Sequence, residues 1–293
     1  MPAVGHPAPS VRVVCVIFNP GGELNAFAAS LATATSATYE LVLVNNGAPN
    51  DVARSLVDSG AARLVESGGN VGYGRAANLG ARGSTAPWLV VANPDVVWHP
   101  GSLDALLGAA ARHPRAGAFG PKILDEDGTV YPSARAIPSL GLGAGHALLA
   151  RAWPSNPISR RYRRENATEH DTERPVGWLS GALLLLRREA FEDVQGFDTA
   201  YFMFFEDLDL GERLGSSGWE NVVVPSATVT HAQGTSWKRT PEPMIRAHHA
   251  SARRYVRGRY RRWYQAPVRW SVVLGLHARE LAEVALSRRA RSR

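Results

Sequence analysis

The sequence predicts an α/β protein in which a mostly parallel sheet is covered by helices on both faces. Three observations carry that expectation. Short β-branched runs alternate with segments of helical periodicity. The runs are apolar at successive positions, as strands buried on both faces are. Three of them end in polar or glycine-rich turns, at 19–22, 45–47 and 93–95. Such sheets bind ligands at the carboxyl ends of their strands.

The elements follow in order. Residues 1–10 read as a loose leader, and 11–18 as a buried strand stopped by Asn19-Pro20-Gly21-Gly22. Leu24, Phe27, Ala28 and Leu31 have the spacing of a helix over 23–35. A strand over 39–44 stops at Asn45-Asn46-Gly47, a helix covers about 50–59, and a short strand at 62–66 enters Ser67-Gly68-Gly69-Asn70. A helix over 74–84 precedes a strand at 87–92 that ends in Asn93-Pro94-Asp95. Leu103, Leu106, Leu107 and Ala110 share one face of a helix over 101–113. Residues 117–123 are extended, and Asp125-Glu126-Asp127-Gly128 is a hairpin-like turn. The stretch 138–175, rich in Gly, Pro and Arg, has weak periodicity and reads as mobile. An apolar strand over 178–187 follows, then a helix over 188–194 and a turn at Gly196-Phe197-Asp198. The aromatic run from Tyr201 opens onto Glu206, Asp207 and Asp209 and a helix to about Ser217. Residues 220–225 form a strand and 227–230 are strand-like; 242–262 and 266–288 are amphipathic basic helices.

Composition narrows the classes. Hydrophobic residues make up 45% and charged residues 20%, which suits a folded chain with a core. The single cysteine, Cys15, excludes an intramolecular disulfide and a multi-cysteine zinc site, and its apolar neighbours mark it as a packed small hydrophobe. The net charge of +7 is uneven: residues 251–293 hold twelve arginines against Glu280 and Glu283, which is +10 and leaves −3 for the first 250 residues. A near-neutral body thus carries a basic end, a statement about partners. Tyr255, Tyr260, Trp263, Tyr264 and Trp270 lie in that end and have faces on which bases stack, so a basic nucleic-acid-binding protein is the alternative of another class. No nucleic-acid fold signature accompanies them, and no nucleic-acid partner is expected. No signal peptide is visible and no central apolar run is long enough to span a bilayer, so a cytoplasmic protein attached to the membrane from inside is expected. No Gly-x-Gly-x-x-Gly follows the first strand, and no glycine-rich loop precedes Lys122.

Several residues suit chemistry. Asp95, exposed at a strand end behind Pro94, can hold Mg2+ or Mn2+ while phosphate oxygens fill other coordination positions; an Asx turn or helix cap is the plainer use. Glu206, Asp207 and Asp209 crowd together, which raises a carboxyl's pKa unless a cation or a helix N-terminus compensates. They suit either a general base or a solvated first turn of a helix. His231, alone after its strand, is a ligand or an ordinary packed histidine. Gly68 to Gly74 form a loop that brings backbone N–H groups or Arg75 toward phosphates.

With these residues in place, the chain resembles the family 2 glycosyltransferases. Within them it is most similar to actinobacterial rhamnosyltransferases that act on N-acetylglucosaminyl-diphospho-polyprenol. The resemblance runs from about residue 11 to about residue 275. It rests on Val16-Ile17-Phe18-Asn19-Pro20, Asn46-Gly47, Gly69-Asn70-Val71-Gly72-Tyr73-Gly74 with Asn78, and Ala92-Asn93-Pro94-Asp95-Val96. It continues in Val130-Tyr131-Pro132-Ser133-Ala134-Arg135, Pro175-Val176-Gly177-Trp178-Leu179-Ser180-Gly181 and Phe204-Phe205-Glu206-Asp207-Leu208-Asp209-Leu210. The Tyr-Pro-Ser-Ala-Arg and Pro-Val-Gly-Trp stretches point to the rhamnosyltransferase branch.

The resemblance implies a GT-A fold, with a catalytic domain over 11–240 and a basic helical region over 241–293. It implies a nucleotide-sugar site at Asn19, Asn45, Asn46, Asn70, Gly72, Arg75, Asn78, Asn93 and Asp95. Asp207 becomes the base, paired with Glu206; Trp178, Gly181 and Asp209 fall on the acceptor side; Asp95 and His231 reach the metal, Mg2+ or Mn2+. Asn45 stands where the family usually has an aspartate against the base, and Asn93 replaces the first aspartate of the usual Asp-x-Asp. The implied donor is dTDP-L-rhamnose and the acceptor a polyprenyl-diphosphate-GlcNAc at the anionic inner membrane surface; a galactofuranosyl or O-antigen rhamnosyl enzyme is the alternative. The last helix is assigned to membrane contact, with core packing or a homodimer contact as its other uses.

Overall fold

The computed structural model describes residues 10–138, 171–232 and 241–291. The leader and most of the 138–175 stretch lie outside the described residues. Strands β1 (Val11–Ile17), β2 (Tyr39–Asn45), β3 (Arg63–Glu66) and β4 (Trp88–Ala92) alternate with helices α1 (Glu23–Ala34), α2 (Asp51–Asp58) and α3 (Tyr73–Ala81). After β5 (Val96–Trp98) come α4 (Ser102–Arg112), β6 (Ala116–Leu124), β7 (Val130–Tyr131) and β8 (Ala134–Arg135). The chain continues through β9 (Arg174–Val176), β10 (Trp178–Leu179), β11 (Leu183–Arg187), α5 (Arg188–Asp193), α6 (Glu206–Ser216) and β12 (Glu220–His231). It ends in α7 (Pro241–Arg259) and α8 (Ala266–Arg291).

The main sheet has the order β3-β2-β1-β4-β11-β6-β12-β5, with β7 on β6 and β9 on β12. The parallel reading holds for β3-β2-β1-β4 and for β6 with β12. It is corrected elsewhere: β11, β5, β7 and β9 run antiparallel to their neighbours, so the sheet is mixed. For β7 the cause is local. Between β6 and β7 the chain turns back within residues 125–129, closed by Asp125 N–H to Thr129 O at 2.8 Å, which leaves no room for the helical crossover a parallel pairing needs.

Strand alternation builds two cores from one sheet. Val11, Val13, Cys15 and Ile17 of β1, with Leu41 and Leu43 of β2 and Leu183 and Leu185 of β11, face α1, α2 and α4. Val14, Val16, Val42, Val44, Leu184 and Leu186 face α3, α5 and α6. This is why apolar residues follow one another in these strands without a polar face. Cys15 is fully buried among them, as its neighbours imply, and burial pushes its thiol well above the ordinary value. Gly80 lets α3 lie directly on the sheet: a Cβ there would stand 2.4 Å from Val14 Cγ1.

Two strand readings change. Residues 178–187 are two strands, β10 and β11, parted at Ser180-Gly181-Ala182. Conversely 220–225 and 227–230 are one strand, β12, with an irregularity between Val224 and Thr228 where Pro225 has no N–H to donate. The basic helix read over 242–262 stops at Arg259, before a short 3-10 turn at Trp263–Gln265.

The C-terminal helices form a hairpin whose inner helix docks on the sheet domain. Tyr255 of α7 packs with Tyr201 and Leu208, and Ser251 Oγ donates to the Met203 carbonyl at 2.7 Å. Arg254 pairs with Asp198 at 2.9 Å and Arg259 with Glu212 at 2.7 Å. α8 is tied to α7 by Arg253–Glu280, and by Arg288–Glu242 at 2.7 Å. One flank of it exposes Trp270, Leu274 and Leu281, each more than half accessible (54%, 66% and 56%), and Trp263 before it is 85% exposed. Among the described residues no helix is long and apolar enough to cross a membrane.

Candidate active site

A cleft of about 660 Å3 opens at the carboxyl ends of β1, β2 and β4, where a sheet of this kind binds its ligand. Asn19, Asn46, Asn70, Asn93, Asp95, Trp178, Gly181, Glu206, Asp207 and His231 all line it. Topology brings these distant positions together.

On the β1–β3 side, asparagines hold the loops. Asn46 Oδ1 accepts from Val71 N–H at 2.9 Å, and its Nδ2 donates to Asn70 Oδ1 at 3.1 Å. Asn19, at φ +48°, accepts from Ala48 N–H at 2.8 Å. Gly72 has φ +88°, and a Cβ there would meet the Phe202 carbonyl oxygen at 2.3 Å. Only glycine permits that approach, through which Tyr73 N–H bonds Phe202 O at 3.0 Å.

Five of the expected residues, Gly72 among them, lie outside the cleft lining. Asn45, on the alternate face from Asn46, donates to Ala48 O and to Glu66 Oε2 and does not line the cleft. Asn78 clamps the Phe197 peptide, donating to its carbonyl at 2.9 Å and accepting from its N–H at 3.0 Å. Arg75 is exposed on α3 and outside the cleft lining. Asp209 points away, pairs with Arg213 at 2.6 Å and lines a separate cavity of about 770 Å3 between α6 and α7.

Asp95 and His231 meet because β5 pairs antiparallel with β12. That register sets His231 opposite Val96, beside Asp95. His231 Nε2 lies 3.1 Å from Asp95 Oδ1 and 3.3 Å from Asn93 Nδ2. His231 Nδ1 is buried without a hydrogen-bond partner among the described residues. Among those residues no cluster of three or more His, Cys, Asp or Glu side chains forms, so the protein offers an oxygen–nitrogen pair. That fits a hard cation which keeps phosphate and water ligands. Asp95 Oδ1 and His231 Nε2, 3.1 Å apart, would hold such a cation side by side.

The carboxylate pair sits where α6 begins. Phe204 and Phe205 both lie in the left-handed region, at φ +66° and +68°. Each such aromatic costs on the order of 1–3 kcal/mol, held here by packing of Phe205 on His248 and Tyr255. The reversal sends Glu206 inward, 6% exposed, with Oε2 buried and without a hydrogen-bond partner among the described residues. Asp207 instead faces the cleft. Its Oδ2 accepts from Gly181 N–H at 2.9 Å and its Oδ1 from Leu208 N–H at 2.8 Å. Tyr73 Oη donates to the Gly181 carbonyl at 2.7 Å and fixes the same turn.

Burial, then the charge of Asp207, pushes Glu206 up to about 8. Burial also raises Asp207, opposed by the Gly181 and Leu208 N–H groups and by Arg135. Glu206 is therefore the member of the pair that keeps its proton near neutral pH: Asp207 accepts from the Gly181 and Leu208 N–H groups and feels Arg135, whereas Glu206 has only its own backbone N–H. A carboxylate facing a cleft beside a neutral carboxylic acid is a proton acceptor by construction.

Residues 9–250 match the family model described as glycosyltransferase like family 2. The chain belongs to this family. N-acetylglucosaminyl-diphospho-decaprenol L-rhamnosyltransferase of Mycobacterium tuberculosis is 47% identical over 272 residues, covering 89% of this chain and 88% of the relative. Two solved structures share the fold of this transferase at 16% identity. GalNAc-T7 with UDP, GalNAc and Mn2+ has a TM-score of 0.58 over 78% of this chain and 44% of its own. The mannosyltransferase PcManGT from Pyrobaculum calidifontis, with GDP-Man and Mn2+, has a TM-score of 0.57 over 95% and 72%. The transferase thus has the expected GT-A fold.

Sequence reasoning quoted Tyr73, Tyr131 and Arg135 within motifs but gave them no role in the site, and it missed Met244 and His248. All five line the cleft. The two α7 residues reach it from a helix read only as basic, and nothing in their local sequence marks them.

Proposed function

We propose that this enzyme transfers L-rhamnose from dTDP-L-rhamnose to N-acetylglucosaminyl-diphospho-polyprenol in one inverting displacement, with Asp207 as the base. The observation that carries the chemistry is the Asp207 carboxylate, held by two backbone N–H groups and turned to the cleft. The 47% identical rhamnosyltransferase supports the choice of donor and acceptor.

A sugar hydroxyl attacks once its proton begins to leave, and Asp207 takes that proton. Glu206, neutral beneath it, adds no competing charge. Asp95 and His231 would hold the divalent cation, with Asn93 alongside. When bound, that cation neutralises the charge growing on the departing nucleoside diphosphate; Mn2+ in the two similar folds supports this, and Mg2+ is an equal candidate. Asn19, Asn46 and Asn70 shape the nucleotide end of the cleft.

The lipid acceptor lies at a membrane, and the outer face of α8 suits that surface. Trp263, Trp270, Leu274 and Leu281 offer apolar and aromatic area, and exposed arginines flank it. Contact is with the inner leaflet.

The test is transfer to a GlcNAc-diphospho-lipid with dTDP-L-rhamnose, UDP-galactofuranose and UDP-GlcNAc as donors. Turnover with dTDP-L-rhamnose alone, giving an α-linked product by NMR, is expected. Turnover with UDP-galactofuranose instead would reassign the enzyme to a neighbouring branch.

A further inference from the structure

Two motif stretches that resemble the rhamnosyltransferase branch have so far been given no joint role. They lie far apart in sequence, yet the structure joins them in a two-stranded ribbon. β8 pairs with β10, and the register sets Arg135 opposite Trp178. Ser180 N–H bonds the Ser133 carbonyl at 2.7 Å, and Trp178 Nε1 donates to the Ala136 carbonyl at 3.2 Å.

The ribbon holds one guanidinium. Arg135 Cζ stands 5.4 Å from the Trp178 ring centre and 5.7 Å from that of Tyr131. Its Nε donates to the Pro132 carbonyl at 2.8 Å. Its two terminal nitrogens make no hydrogen bond or ion pair to any other described residue. Among the described residues lining the cleft, Arg135 is the sole lysine or arginine, against Glu23, Asp95, Glu206 and Asp207. A fork oriented by aromatic faces and left unpaired is built for a planar or tetrahedral anion.

Two diphosphates are at hand in the proposed reaction. The donor's belongs at Asp95 and His231, at the ends of β4 and β12. Arg135 stands on the Asp207 side: its partner strand β10 runs directly into Gly181, whose N–H holds Asp207 Oδ2 at 2.9 Å. The base faces the acceptor hydroxyl, so the guanidinium faces the acceptor as well. We propose that Arg135 binds the diphosphate of the lipid-linked acceptor and so sets the preference for a diphosphate-borne sugar. This rests on the functional reading above and deepens it.

Arg135→Gln and Arg135→Lys are compared with the unaltered enzyme, each on the plateau of its own pH profile. The acceptors are a GlcNAc-diphospho-isoprenoid and a neutral alkyl GlcNAc glycoside. Arg135→Gln should raise KM for the diphosphate acceptor about 10- to 100-fold, the worth of a charge-assisted bidentate contact. KM for the neutral glycoside and Kd for dTDP should stay within about twofold of the unaltered enzyme, a split that a merely structural loss would not give. Arg135→Lys should fall between, keeping the charge without the fork. An equal loss on both acceptors, or an equal weakening of dTDP, would overturn the proposal. A second arm separates it from the functional reading: calorimetric binding of farnesyl diphosphate with dTDP and Mn2+ already bound. If the unaltered enzyme transfers nothing to the GlcNAc-diphospho-lipid, the functional reading fails. Loss of farnesyl diphosphate binding in Arg135→Gln still supports the anion site, and equal binding by enzyme and variant refutes it.

Discussion

Glu206→Gln should make the protein more stable at neutral and alkaline pH. The wild-type carboxyl is buried and lies at about 8 in the fold against an ordinary 4.5. Between those values the folded chain keeps a proton that the unfolded chain has released. Stability is then fully present below pH 4.5 and is lost as pH rises toward 8, at about 1.4 kcal/mol per pH unit. At pH 7 the loss has reached about 3 kcal/mol, a large part of the 5–15 kcal/mol that holds a typical domain. Glutamine has the shape of the protonated acid and no charge to desolvate, so the variant escapes this decline. Urea unfolding of both proteins at pH 5, 6, 7 and 8 is the assay. The curves should nearly coincide at pH 5 and separate steadily above it, with the variant the more stable. A difference that stays constant across the series would refute the reasoning, because it would place a charged, not a neutral, Glu206 in the fold.

Other outcomes are expected. EDTA should abolish transfer and added Mn2+ or Mg2+ restore it, while Asp95→Ala should lose most activity yet unfold at nearly the same temperature; full activity in EDTA would remove the metal from the account. Replacing the exposed Trp270, Leu274 and Leu281 by serine should weaken sedimentation with anionic liposomes, with little change in Tm because none of the three is buried. Unchanged sedimentation, or a change in dimerisation in its place, would move that face from membrane to a second copy of the chain.

The frame of the fold was legible because it depends on local pattern. Val11 to Ile17 reads as a strand buried on both sides, and both sides carry a core. Strand direction beyond β4 was not legible, since β11 and β6 are as apolar as parallel strands and only tertiary pairing decides. In the site, residues at strand and helix ends were readable: Asn19, Asn46, Asn93, Asp95, Asp207 and His231 converge on one cleft. Adjacent positions were not separable. Asn45 and Asn46 look alike in sequence, but the period of a strand sends one to the cleft and the other to Glu66. Likewise Asp207 and Asp209 share one turn of α6, and a rotation of 200° divides a cleft residue from an ion pair with Arg213. His248 and Met244 enter from α7 through packing that no local signal encodes.

The central claim is that Asp207 takes the acceptor proton, and Asp207→Asn tests it most directly. The amide keeps the side-chain shape and can still accept from Gly181 N–H, but has no basicity. Rapid-mix kinetics with dTDP-L-rhamnose, alongside calorimetric Kd for the donor, separate chemistry from binding. The account predicts kcat lower by about 10²- to 10⁴-fold with donor Kd changed by less than about threefold. An Asp207→Asn enzyme with near wild-type kcat would contradict it.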